Sequence, residues 1–195
     1  MSSTLTSDQV LDLLREKRAL LEGHFLLSSG LHSDRYFQCA LALADPVAAE
    51  KLAKSLAAKL PAVPDLVVGP AMGAVVWAHE VARAVGTSSF FTERKDGTFE
   101  LRRGFAIQPG TKVLVVEDVV TTGGSAKEVI ELLRTIGAEV IGVGCVVNRS
   151  GTNPFADLGL PLTALAEVTA RTWQPNDPPE GFENSKPVKP GSRGA

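Results

Sequence analysis

The chain has 195 residues, 44% of them hydrophobic and 22% charged, a composition that fits one globular domain. A chain of this length hides roughly 70% of the surface its unfolded form exposes, so its core needs neither a disulfide nor a structural metal. A formal net charge of -2 excludes the overall positive field that non-specific nucleic-acid binding requires.

Residues 1–7 are polar, without the basic start and apolar stretch of a secretory leader, and no apolar run approaches the roughly 20 residues needed to cross a bilayer. That pattern points to the cytoplasm and away from a membrane. Ser7 can cap a helix over 8–21, in which Val10, Leu11, Leu14, Leu20 and Leu21 recur at roughly helical spacing. The turn-rich segment 23–30 then leads to Tyr36 and Phe37, which have the side-chain character of a short strand. Together these pieces read as a small N-terminal hood over about 1–40. Cys39 and Cys145 are far apart in apolar surroundings, with neither metal-ligand spacing nor a redox pair, and read as buried free thiols.

Asp45 and Pro46 open a second helix, the acid as cap and the proline at the first helical position, running to about residue 60 before Pro61 stops it. The pattern then changes. Leu66-Val67-Val68 is a short β-branched run that enters Gly69-Pro70-Ala71-Met72-Gly73 and is followed by a helical stretch over 74–85. The unit recurs, with strands over 89–92, 113–116 and 140–147 and a helix over 125–136 that Gly137 ends. Unbroken apolar strands alternating with helices predict an α/β, Rossmann-like domain whose mostly parallel sheet carries helices on both faces. The charged, glycine-containing stretch 93–105 reads as a hairpin or flap. One domain over 1–173 is expected, followed by an irregular tail over 174–195, rich in proline and glycine.

The informative stretch is 113–125, Val-Leu-Val-Val-Glu-Asp-Val-Val-Thr-Thr-Gly-Gly-Ser. Ligands of open parallel sheets bind at the carboxyl ends of strands, and a helix start with free N–H groups is an anion site. Gly123 and Gly124 let the backbone approach a phosphate, and Thr121, Thr122 and Ser125 add hydroxyl donors. Glu117 and Asp118 cannot help to hold that phosphate. They can accept hydrogen bonds from two sugar hydroxyls or help to retain a magnesium ion. No G-x-x-x-x-G-K-[ST] and no G-x-G-x-x-G occurs, which removes the warrant for a P-loop nucleotidase or a dinucleotide-binding protein.

Residues 113–125 resemble the phosphoribosyl-diphosphate motif of the type I phosphoribosyltransferases. The resemblance implies that Glu117 and Asp118 contact the ribose 2- and 3-hydroxyls and that Thr121 to Ser125 wrap the 5-phosphate. Ala71, Met72 and Gly73 lie in a strand-to-helix loop that resembles the family's pyrophosphate loop, and Arg94-Lys95 resembles the pair at the base of its catalytic flap. The segment 25–30 with Tyr36 and Phe37 is similar to the part that covers the pyrimidine in orotate-using members, with Arg149 on the orotate carboxylate and Thr121 close to the base. The resemblance further implies transfer of a ribosyl phosphate from 5-phosphoribosyl diphosphate to orotate in pyrimidine synthesis, with magnesium held mainly by substrate and water, in a homodimer whose flap reaches a neighbour's site.

It covers about residues 8–168, and Lys189 to Ser192 is similar to endings of some relatives. Three departures stand out. The flap stretch 96–100 lacks the lysine and histidine of many relatives, leaving Arg102 and Arg103 as substitutes; no lysine stands beside Met72; and Ser28 occupies a position that is often lysine. Two rivals share the fold: a purine or uracil enzyme, and a regulator that binds the diphosphate without turnover. The acids and the Arg94-Lys95 pair argue against the second. His24, His32 and His79 are too scattered to suggest a metal site or a catalytic base.

Overall fold

A computed structural model describes residues 4–27 and 29–190. The expectations placed on Ser28, Gly191 and Ser192 lie outside the described residues. In chain order the elements are α1 (Ser7–Glu16), β1 (Leu20–Leu26), β2 (His32–Phe37), α2 (Cys39–Leu43), α3 (Pro46–Ala57), β3 (Leu66–Pro70), α4 (Val75–Val85), β4 (Ser88–Lys95), β5 (Thr98–Leu101), β6 (Lys112–Val120), α5 (Gly124–Thr135), β7 (Glu139–Asn148), β8 (Leu162–Glu167) and β9 (Thr172–Trp173).

Six strands form the main sheet in the order β5-β4-β3-β6-β7-β8, parallel except for the β4–β5 hairpin. Helices cover both faces, as the alternation of apolar strands and helices predicts. Along β6 the side chains divide by parity: Leu114 and Val116 join α1, α3 and α4 in one core, while Val113 and Val115 join α5 in the other. All four are buried, each burial stabilising by about 1.5–3 kcal/mol. The strand order reverses between β3 and β6, so their carboxyl ends open a crevice at the sheet's switch point.

The N-terminal reading needs correction. Thr6, not Ser7, caps α1, accepting from the Gln9 N–H while Gln9 reaches back to the Thr6 N–H. The helix stops at Glu16, because Arg18 takes a left-handed φ of 55° and Ala19 N–H donates to the Leu14 carbonyl. Leu20 and Leu21, which match the helical spacing, are therefore strand residues paired with Phe37 and Tyr36. The segment read as turns after Gly23 is mostly β1, and β2 begins four residues before Tyr36.

The second helix has its expected Asp45 cap, accepting from Val47 and Ala48, but ends at Ala57. β8 and the short β9 have no counterpart in the sequence reading. β9 pairs His32 with Trp173 and Ser33 with Thr172, joining the small sheet β1-β2-β9. The described part of the tail lies on that sheet: Val188 bonds with His24 and Leu26 of β1, and Ser185 Oγ lies 2.6 Å from His24 Nδ1.

Candidate active site

β6 runs four buried residues into the sheet and then carries Glu117 and Asp118 to its carboxyl end, both half-buried. The chain turns at Gly123, whose φ of 74° favours glycine; a Cβ there would meet the Phe155 ring at 2.9 Å. α5 starts without any side-chain cap, so its first N–H groups face the turn unsatisfied. A cavity of about 310 Å³ results, lined by Glu117, Thr121, Thr122, Gly123, Gly124 and Ser125 together with Glu128. The expected ribose and phosphate residues other than Asp118 thus share one wall.

Asp118 looks the other way. Its Oδ1 accepts from the Val119 N–H at 2.8 Å, and a Cβ on Gly73 would stand 3.5 Å from the same oxygen. The loop 71–73 is therefore in contact range of Asp118, as two neighbouring parallel strands ending at one crevice require. Ala71 N–H donates to the Thr92 carbonyl, which fixes the loop to β4, and the Met72 side chain is exposed.

Both acids sit without a cationic partner among the described residues. Burial, and then the neighbouring Asp118, pushes Glu117 up to about 8, and burial raises Asp118 above the usual carboxylate range against two opposing backbone hydrogen bonds. A ligand that donates hydroxyl protons or brings a cation relieves that cost.

A second cavity of about 740 Å³ adjoins the first, and Thr121 and Thr122 line both. Arg149, one residue past β7, projects into it, between Leu27 and Leu31 of the β1–β2 connection and Ala170 and Thr172 near β9. Its Nη2 donates to Ser33 Oγ at 3.2 Å, its guanidinium stands 5.4 Å from the Phe37 ring centre, and its buried Nε has no partner among the described residues. Such an arginine has donors to spare for an anion. Phe37 is the floor beneath Arg149 rather than part of the cavity wall, and Tyr36 donates its hydroxyl to Gln38 Oε1 at 2.8 Å, away from it.

Arg94 grips Glu128 of α5 with both Nη atoms, at 2.9 and 3.0 Å, and lies 4.1 Å from the Phe99 ring centre. Lys95 next to it is exposed at the hairpin end. Of the two arginines proposed as flap substitutes, Arg103 is held by both carboxylate oxygens of Glu93, at 2.7 and 2.8 Å. Arg102 has no such pair among the described residues.

Sequence reasoning overlooked Glu128, Ser33 and Thr172. Glu128 was within reach, since it follows Gly124 by one helical turn and must share its face. Ser33 and Thr172 carry no such signal, being placed by strand pairing across about 140 residues. His24 and His32, dismissed as scattered, meet at 2.7 Å between ring nitrogens.

A family model described as the phosphoribosyl transferase domain matches residues 43–157. Curated relatives align over nearly the whole chain. An orotate phosphoribosyltransferase from Carboxydothermus hydrogenoformans is 51% identical over 184 residues, 93% of this chain and 95% of that protein. One from Sphingopyxis alaskensis is 50% identical over 194 residues, 97% of this chain and 98% of that protein. Among solved structures, the crystal structure of orotate phosphoribosyltransferase from Aeropyrum pernix superposes with a TM-score of 0.67 at 28% identity, covering 82% of this chain and 93% of that chain.

Proposed function

The chain belongs to the phosphoribosyltransferase family, among relatives named for orotate, and from that premise we propose how its two adjoining cavities divide the reaction. The activity is transfer of the 5-phosphoribosyl group from 5-phosphoribosyl diphosphate to orotate, giving orotidine 5-phosphate and pyrophosphate in pyrimidine synthesis. The bond from the anomeric carbon to the diphosphate oxygen breaks and a bond to a ring nitrogen of orotate forms. The charge of orotate sits on its carboxylate, so the attacking ring nitrogen loses its proton, to water or to the departing pyrophosphate, as the new bond forms. Catalysis then rests on positioning and on stabilising charge as pyrophosphate departs.

The observation that carries this reading is the shared wall at Thr121 and Thr122 between an anion cradle and a cavity holding an under-bonded arginine. The 5-phosphate takes the N–H groups and hydroxyls of Thr121, Thr122, Gly123, Gly124 and Ser125. Glu117 and Asp118 accept from the ribose hydroxyls. Ala71, Met72, Gly73, Arg94 and Lys95 face the pyrophosphate, and Arg149 takes the orotate carboxylate, with Thr121 beside the base and Phe37 and Tyr36 bracing the pocket from behind.

Magnesium fits this donor set: two half-buried acids held above their usual range stand beside a loop that receives a diphosphate. Glu117 and Asp118 would help to retain it, with substrate and water as its main ligands, and it would supply neutralisation of the diphosphate charge.

The enzyme works in the cytoplasm as a homodimer. No helix among the described residues is long and apolar enough to cross a membrane. Exposed Leu41, Val47 and Val76 stand on α2, α3 and α4, neighbours in the fold, and suit a subunit interface. The net charge argues against nucleic acid.

The test is magnesium-dependent loss of orotate absorbance when the protein meets 5-phosphoribosyl diphosphate, with adenine, hypoxanthine and uracil in parallel. Turnover of orotate alone is expected. Turnover of another base would overturn the base assignment, and binding without turnover would replace the enzyme with a regulator.

A further inference from the structure

The Arg94–Glu128 contact has chemical consequences that the reading above leaves unused. Glu128 lies on the first turns of α5 and its side chain lines the phosphate cavity, where a bare carboxylate would oppose an incoming phosphate. It is not bare. Arg94, delivered from the end of β4, meets both of its oxygens in a fork geometry while Nη1 also donates to the Gly97 carbonyl. Three donor positions of the guanidinium are thus committed inside the protein.

The pair is also easily broken. The two side chains remain 43% and 46% exposed, and ion pairs this open to water are weak. The other hairpin pair, Arg103–Glu93, stays within the hairpin segment, whereas Arg94–Glu128 is, among the described residues, the salt bridge that links the hairpin to the helix carrying the phosphate turn, beside the apolar packing of Phe99 on that helix.

We propose that Glu128 is a positioning residue that holds Arg94 at the rim of the phosphate cavity in the ligand-free enzyme and yields it to the diphosphate during binding. The inference rests on the assignment of Arg94 to the pyrophosphate. Because the arginine must leave one anion to serve another, the pair taxes affinity for the diphosphate. A tether populated roughly three to one over its open form raises the apparent KM about fourfold.

The experiment compares the parent with Glu128→Gln and Arg94→Met, read as separate kcat and KM values for each substrate. Glu128→Gln keeps the side chain's shape and removes its charge. KM for 5-phosphoribosyl diphosphate is expected to fall about three- to fourfold, with KM for orotate unchanged. Loss of simple charge repulsion predicts the same fall, and removing Arg94 leaves Glu128 bare, so ribose 5-phosphate and pyrophosphate, run as competing inhibitors, decide. If the tether is the cause, Glu128→Gln in the parent background tightens pyrophosphate and leaves ribose 5-phosphate, which has no group for Arg94, unchanged; equal tightening of both overturns the inference.

An unchanged or higher KM in Glu128→Gln alone also overturns it while leaving the Arg94 assignment intact. If Arg94→Met itself leaves use of the diphosphate untouched, the assignment fails and the tether with it. Glu128 is a partly exposed helix residue, so its variant is expected to fold, and thermal unfolding of all three proteins checks this.

Discussion

The two cavities differ in how the chain builds them. The phosphate side is nearly contiguous: Glu117 to Glu128 supplies a strand end, a turn and a helix start, and local hydrogen bonding with one left-handed glycine sets its shape. The base side draws on residues from Leu27 to Thr172, brought together by three strand ends and by β9. A contiguous site tolerates change in the rest of the protein, and a distributed one inherits the tolerance of every element that contributes to it. The proposed reaction uses both, and Thr121 and Thr122 line the two of them.

Substitutions that separate the two sides test the division. The largest effect is expected from Asp118→Asn, which keeps the shape but removes the charge proposed to accept from the ribose. A loss of kcat/KM for 5-phosphoribosyl diphosphate of about a hundredfold is expected, in line with a charge-assisted hydrogen bond at a reacting sugar. A variant with unchanged kinetics would sink the ribose assignment.

Next is Arg149→Ala, for which KM for orotate should rise about thirtyfold while the diphosphate KM stays within a factor of two. Equal losses for both substrates would mean that the cavities are not separate in function.

The smallest effect concerns stability. Glu117 is raised from 4.5 to about 8 by burial and by Asp118, so the fold favours its protonated form. Its contribution is fully present below pH 4.5 and is lost as pH rises through about 8. Glu117→Gln removes this dependence, and the ligand-free variant should be more stable than the parent at pH 8.5, by about 1–2 kcal/mol, though less active. Urea unfolding at pH 5 and pH 8.5 decides it: parallel pH slopes in the two proteins would refute the account.

The same contrast explains what the sequence disclosed. Val113 to Ser125 could be read directly, because a buried apolar strand, two acids and a glycine turn are local signals with one physical interpretation. The parallel sheet followed from the same apolar runs. Leu20 and Leu21 misled because period alone cannot register a left-handed Arg18 that ends the helix. β8 escaped notice because its Leu-Thr-Ala-Leu-Ala-Glu sequence mixes small and polar residues, although pairing with β7 buries Leu165 and Ala166. Ser33 was an ordinary polar residue until strand pairing put it, fully buried, against Arg149. Nor did spacing reveal that Arg94 and Glu128, 34 positions apart, form one pair.

The pairing of Ser33 with Thr172 also bears on the order in which the protein assembles. The turn after β6 closes over a dozen neighbouring residues, a step that costs little chain entropy, whereas β9 must return across about 140 residues before the Arg149 pocket has its far wall. During synthesis the anion cradle can form once α5 and β7 have emerged, but the pocket for the base waits for nearly the whole chain. On the proposed assignment, a nascent or refolding molecule is expected to hold a phosphate before it can select a base.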